Sequence, residues 1–223
     1  HDTVRRQRQM CIRDRVSFYW PEYGNNGKEN TKIFDLLTHR AGMFAFEKNF
    51  KVSNEEWTNW DLFINKLSKQ KPFYPPGSAQ SYHALTFGFL VGEIVRRVDG
   101  RSIGEFFKKN IAEPYDIDFI FGLNEKEIKR TSDIVMSKIR SPFLTKVLLS
   151  TPPWLIPKRF RPVIELLNKS DFKKAFFNTQ AEKNSVNSDS WKQAEIPAAN
   201  GFGSAIGISK FYSTLISKKE RSF

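Results

Sequence analysis

The sequence has a single cysteine, Cys11, and three histidines, His1, His39 and His83. One thiol cannot build an internal disulfide framework or a cysteine-based zinc site, and the histidines lack metal-ligand spacing, so no structural metal is expected. Also missing is a run of roughly 20 apolar residues of the kind a membrane-spanning helix requires. The longest candidate, Leu85 to Val98, is interrupted by Glu93, Arg96 and Arg97. What remains is a 223-residue chain that is 39% hydrophobic and 27% charged, a composition that excludes disordered and collagenous chains and fits one large domain or two small ones.

Residues 1–15 differ in composition from the rest of the chain. Arg5 to Asp14 resembles one translated frame of a transposon adapter used in preparing DNA sequencing libraries. The segment is read as such a scar and set outside the fold, which removes the only cysteine and leaves open the natural sequence before Val16.

The formal net charge of +12 raises the question of nucleic acid, and its distribution answers it. Residues 16–125 carry a net −1 and residues 175–223 a net +2, whereas 126–174 hold 12 basic and 4 acidic side chains. In that segment apolar groups such as Phe143-Leu144, Val147-Leu148-Leu149 and Trp154-Leu155-Ile156 alternate with Lys and Arg. Such interleaving suits an anionic membrane surface, or the rim of a pocket for an apolar ester, better than a phosphate-backbone groove. Nucleic acid is not expected as a partner.

Helical signals dominate the rest. Thr31 is placed to cap a helix through Leu37, and Ser53 with Glu56 to open one through Leu67. Apolar residues from Tyr82 to Val98 recur at helical spacing before Asp99-Gly100. Ser102 with Glu105 forms a second capping box for a helix through Asn110, and Ile206 to Ile216 reads as a final helix. Residues 175–195, rich in Asn, Ser and Lys, are expected as a mobile polar loop.

Three generic motifs carry little. Gly100-Arg101-Ser102-Ile103-Gly104 has the letters of a nucleophile elbow, but a helix precedes it where a strand is required, so Ser102 is better read as an N-cap. Gly201-Phe202-Gly203 with Gly207 falls short of a dinucleotide fingerprint. Ser68-x-x-Lys71 and Ser170-x-x-Lys173 fit a pattern loose enough to arise by chance in a lysine-rich chain.

The informative blocks are Asp35-Leu36-Leu37-Thr38-His39-Arg40-Ala41-Gly42-Met43, then Tyr74-Pro75-Pro76-Gly77-Ser78-Ala79-Gln80-Ser81-Tyr82-His83-Ala84, then Gly100-Arg101-Ser102 with Ile111-Ala112-Glu113-Pro114. In order and spacing these resemble the β-lactamase-related serine hydrolases: class C β-lactamases, D,D-peptidases and family VIII-type carboxylesterases. Pro197-Ala198-Ala199-Asn200-Gly201 continues the likeness, which spans residues 16–223. It implies an α+β fold of the serine β-lactamase/transpeptidase type, in which this mostly α chain supplies chiefly the helical region.

The resemblance also implies acyl transfer. A serine in S-x-x-K attacks the substrate carbonyl, while the lysine and a tyrosine manage its proton. That tyrosine lies in a Y-x-N block and corresponds to Tyr82; His83 beside it is a candidate substrate contact. A phenol is a poor base at neutral pH, and about 4 kcal/mol of preferential phenolate stabilisation, as from a lysine ammonium in a desolvated site, would make it a competent one.

Two departures matter. Ala84 stands where Y-x-N has its Asn, which removes an amide that contacts β-lactam side chains and brings Tyr82-His83-Ala84 closer to the esterase relatives. The family's S-x-x-K lies upstream of the Leu36-Leu37-Thr38-His39 block and its K-T-G or H-x-G block beyond Phe223, so the chain alone is expected to be inactive. The expected substrate is a small-molecule ester or related amide, with no cofactor. A non-catalytic scaffold or lipid-surface protein is the rival reading, and a β-lactamase or D,D-peptidase the next.

Overall fold

The computed structural model describes residues 11–135, 151–152 and 155–216. Among the described residues, ten α-helices are ordered along the chain as α1 (Val16–Tyr19), α2 (Ile33–Leu37), α3 (Trp60–Lys69), α4 (Thr86–Asp99), α5 (Ile103–Phe107), α6 (Glu125–Ile128), α7 (Arg161–Asn168), α8 (Ser170–Phe177), α9 (Asp189–Gln193) and α10 (Ala205–Ile216). The described strands are short: β1 (Phe50–Val52) runs parallel to β3 (Thr179–Ala181), and β2 (Phe119–Ile120) antiparallel to β4 (Phe202–Gly203). This is the mostly helical, α+β chain the motifs imply. No described helix is long and apolar enough to cross a membrane.

Helix boundaries follow local chemistry. Gly100, at φ +86°, takes the left-handed turn that closes α4, and its N–H reaches the Arg96 carbonyl at 2.9 Å. The helix begins at Thr86 and not at Tyr82; in the loop before it the Ser81 and His83 N–H groups bond to His39. Ser102 caps α5 in the expected box: its hydroxyl accepts the Glu105 N–H, and the Glu105 carboxylate accepts the Ser102 N–H. Two expected starts shift. Lys32 occupies the N-cap of α2, where the Asp35 carboxylate accepts its N–H at 2.9 Å, while Thr31 is buried. The stretch after Ser53 forms a 3-10 turn (Glu55–Thr58), and Asn59 Oδ1 then caps α3 by accepting the Leu62 N–H at 3.1 Å.

The core is aromatic. Phe63 from α3 stacks on Phe89 from α4, with centroids 4.4 Å apart and planes at 13°, and also on Trp57 at 5.4 Å. Trp191 meets Trp57 edge-on at 4.6 Å. That contact corrects the expectation of a loop over 175–195. The segment ends α8, pairs as β3 and forms α9, because one buried tryptophan and the Trp57 Nε1 to Ser185 Oγ hydrogen bond of 2.7 Å anchor an otherwise polar stretch.

Glu93, expected only as an interruption of an apolar run, is fully buried on α4. Its carboxylate accepts hydrogen bonds from Trp60 Nε1 (2.8 Å), Arg96 Nε (2.8 Å) and Arg97 Nε (2.7 Å). Burial alone would raise its pKa, but these donors hold it below the usual carboxylate range. The result ties α3 to α4.

Residues 11–15, set outside the fold by the sequence reading, run beside 31–34: the Ile33 N–H reaches the Asp14 carbonyl (3.0 Å) and the Phe34 N–H the Ile12 carbonyl (2.7 Å). In the basic segment, Phe143, Leu144, Val147 to Leu149 and Trp154, on which the membrane-surface reading rests, lie outside the described residues.

Candidate active site

The first two sequence blocks, separated by some thirty residues, meet in space. Beyond α2, the chain from Thr38 to Gly42 runs beside the 73–83 loop and is bonded to it repeatedly. Phe73 N–H reaches the Gly42 carbonyl (2.8 Å), Gly77 N–H the Arg40 carbonyl (2.8 Å), and Ser81 N–H the His39 carbonyl (3.1 Å). The Arg40 guanidinium also donates to the Gly77 carbonyl, and Gln80 Nε2 to the Thr38 carbonyl at 3.2 Å. Gly42 is required here: φ is +72°, and a Cβ would lie 2.2 Å from the Tyr74 carbonyl oxygen.

His39 is the pivot. It sits at φ +58°, a conformation that costs a non-glycine residue energy and persists where surrounding contacts impose it. Here its carbonyl binds Ser81 and its Nδ1 accepts the His83 N–H at 3.2 Å. The ring lies among Tyr82 (5.1 Å between centroids), His83 (5.3 Å) and Phe87 (4.9 Å), and burial lowers its pKa. The imidazole is therefore predominantly neutral at neutral pH, which suits an acceptor at Nδ1.

The loop then points successive side chains in opposite directions. Tyr82 faces solvent, 59% exposed, whereas His83 is 1% exposed. The His83 Nδ1 lies 2.7 Å from the Ser81 carbonyl, which can only accept, so Nδ1 carries the proton. Desolvation pushes its pKa down to about 4 and keeps the ring uncharged above that pH. His83, singled out as a substrate contact, thus sits beneath the loop and fixes its course, while the open position belongs to Tyr82.

A third element completes the surroundings, one for which the sequence offered no signal beyond a chance S-x-x-K. Helix α8 lies against the loop: the Ser81 hydroxyl donates to Asp171 at 2.7 Å, and the Phe176 ring stacks on Tyr82 at 6.2 Å and 26°. Ala175 is buried with Phe44 and Ala45 against Tyr74 and Ala84, and the Lys174 ammonium lies over Phe73. In the two S-x-x-K pairs, one polar group each has a local partner. The Ser68 hydroxyl is used on the Asn65 carbonyl, and the Lys173 ammonium on Asn168 Oδ1. Ser102 donates to Glu195 Oε1 at 2.7 Å in a capping arrangement, not an elbow.

Among the described residues, cavities lie elsewhere, two of them near the 189–201 segment. One of about 450 Å³ runs between Trp57, Trp60, Arg96 and Glu195, and one of about 500 Å³ between Asp118, Arg130, Asn187 and Asn200. Neither is lined by Tyr82. Among the described residues, no cluster of three or more His, Cys, Asp or Glu side chains could hold a metal ion.

Known proteins resemble this chain in sequence and fold. LipL of Mycobacterium tuberculosis, an esterase/β-lactamase, is 26% identical over 202 residues, covering 90% of this chain and 43% of that protein. A penicillin-binding-protein homologue from Caulobacter crescentus superposes with a TM-score of 0.69 at 28% identity, over 92% of this chain and 48% of the other. A family VIII carboxylesterase gives a TM-score of 0.69 at 30% identity, with the same two coverages. The chain thus spans about half the length of the relatives it matches. With the β-lactamase family profile matching residues 5–222, this chain belongs to the β-lactamase family of serine hydrolases.

Proposed function

We propose that this chain is the tyrosine-bearing part of a serine hydrolase that cleaves a carboxylic ester, or a related amide, through a covalent acyl-serine. The observation that carries the reading is the Tyr82 phenol: solvent-facing, on a loop whose backbone is fixed from beneath by His39 and His83 and from the side by α8. A rigid loop that presents one exposed hydroxyl suits a group that must meet a substrate and relay a proton.

In this reading Tyr82 takes the proton from an attacking serine hydroxyl and returns it to the leaving alkoxide. The attacking serine and its partner lysine in this reading are those of the family's S-x-x-K motif, a role assigned to neither Ser68 nor Ser170. The relatives include both a carboxylesterase and a penicillin-binding-protein homologue, and Ala84 in place of the amide favours the ester. His83 serves as a positioning residue and not as a substrate contact.

The test is Tyr82→Phe in the complete polypeptide, assayed on p-nitrophenyl acetate with burst kinetics that isolate acylation. A loss of about a hundredfold or more is expected, the scale of removing a general acid or base, with unchanged thermal stability because the side chain is exposed. Activity within about twofold of the parent removes Tyr82 from the mechanism.

A further inference from the structure

We propose that Asp171, on α8, is a positioning residue for Tyr82: by accepting the Ser81 hydroxyl it sets the direction in which the phenol leaves the loop. The proposal rests on the acyl-transfer reading of Tyr82 and adds to it a residue from outside the sequence blocks that carry the family likeness.

An exposed side chain takes little of its placement from packing. Tyr82 is 59% exposed, and among the described residues its ring neighbours are His39 at 5.1 Å and Phe176 at 6.2 Å. The direction of its phenol therefore depends on the backbone that carries it, because the backbone angles decide which rotamers are open.

That backbone is fixed most firmly at Ser81, whose three polar groups are all engaged. Its N–H reaches the His39 carbonyl (3.1 Å), its carbonyl accepts the His83 Nδ1–H (2.7 Å), and its hydroxyl donates to Asp171 Oδ2 (2.7 Å). The Tyr82 carbonyl then accepts the Ala84 N–H at 3.1 Å. His39 and His83 belong to the loop and to the segment beside it. Asp171 comes from a separate element and ties the residue before Tyr82 to it.

The acceptor is itself held. Asp171 Oδ1 lies 4.0 Å from the Lys174 ammonium, which in turn lies over Phe73. In the last turn of α8 Ala175 is buried, and just past its end Asn178 Nδ2 donates to the Phe46 carbonyl at 2.8 Å before the chain enters β3. A carboxylate on an anchored helix is a strong acceptor at a fixed place. The backbone bonds between the 38–42 segment and the 73–83 loop do not involve Asp171, so its removal should leave the loop's path intact and free the Ser81 side chain.

The test uses variants of the complete polypeptide on p-nitrophenyl acetate, with acylation isolated by burst kinetics. Asp171→Ala should slow acylation about tenfold, the effect of a misplaced reacting group, with KM changed less than about twofold. Asp171→Asn keeps an oxygen that can accept the Ser81 hydroxyl and should bring acylation back to within about threefold of the parent. Ser81→Ala should match Asp171→Ala, and the double variant should lose no more than either alone, since both substitutions remove the same hydrogen bond. Placement is read without turnover from nuclear Overhauser contacts of the Tyr82 ring with His39 and Phe176, which should weaken in Asp171→Ala and Ser81→Ala and persist in Asp171→Asn. Ring contacts unmoved by Asp171→Ala overturn the proposal whatever acylation does, as do additive losses in the double variant or an Asp171→Asn variant as slow as Asp171→Ala. Tyr82→Phe separates the two readings. If it abolishes acylation while Asp171→Ala stays within about twofold of the parent, the positioning role falls and the tyrosine keeps its part. If Tyr82→Phe leaves acylation untouched while the ring contacts still depend on Asp171, the acyl-transfer role falls and the placement of the side chain by Asp171 stands.

Discussion

Lys28 offers the most quantitative test of the fold. It is 0% exposed, and its ammonium donates to the Ser68 (3.0 Å) and Gln70 (2.5 Å) carbonyls at the C-terminal end of α3 while lying over the Tyr23 ring. No carboxylate reaches it within ion-pair distance among the described residues. Desolvation therefore lowers its pKa from 10.5 to about 8. The folded-state value lies below the unfolded one, so between these pH values the unfolded chain binds more protons and stability rises with pH. Integrated from pH 7 to 9.5, this single group contributes a gain of about 2 kcal/mol. Lys28→Met keeps the length of the apolar stem and abolishes the titration. Urea denaturation of both proteins at pH 7 and 9.5 gives the double difference: the parent should gain about 2 kcal/mol more than the variant over that interval. Gains that agree within about 0.5 kcal/mol would refute the claim that an uncompensated charge is buried there.

Two further substitutions probe the architecture around the site. Ser102→Ala removes both the cap of α5 and the donor to Glu195, and should lower stability by about 1–2 kcal/mol in thermal or chemical denaturation. The same variant should keep its ester-binding affinity; loss of binding at unchanged stability would give Ser102 a functional role in place of a capping one. Gly42→Ala places a Cβ 2.2 Å from the Tyr74 carbonyl at a positive φ, and should cost more than about 1 kcal/mol. Hydrogen exchange should then accelerate at Phe73, Gly77 and Ser81, whose N–H groups pair with the 38–42 segment, while that at α4 changes least.

The sequence by itself determined what depends on neighbours along the chain. The Ser102–Glu105 box, the Gly100 stop and the apolar stripe of α4 were legible because a cap, a left-handed glycine and a helical face are set by residues within about one or two turns. The motif blocks were legible too, and with them the family. Tertiary structure alone decided what depends on distant partners. Strands of two or three residues have no period to read, so the pairing of Phe50–Val52 with Thr179–Ala181 was hidden. The polar composition of 175–195 concealed Trp191, whose place is set by Trp57 more than a hundred residues earlier. The opposite fates of Tyr82 and His83, adjacent in sequence and one exposed while the other is buried, follow from which side of the loop His39 occupies. The packing of Phe176 on Tyr82 likewise arises only when α8 docks, because burial and stacking are relations between surfaces that the chain brings together only by folding.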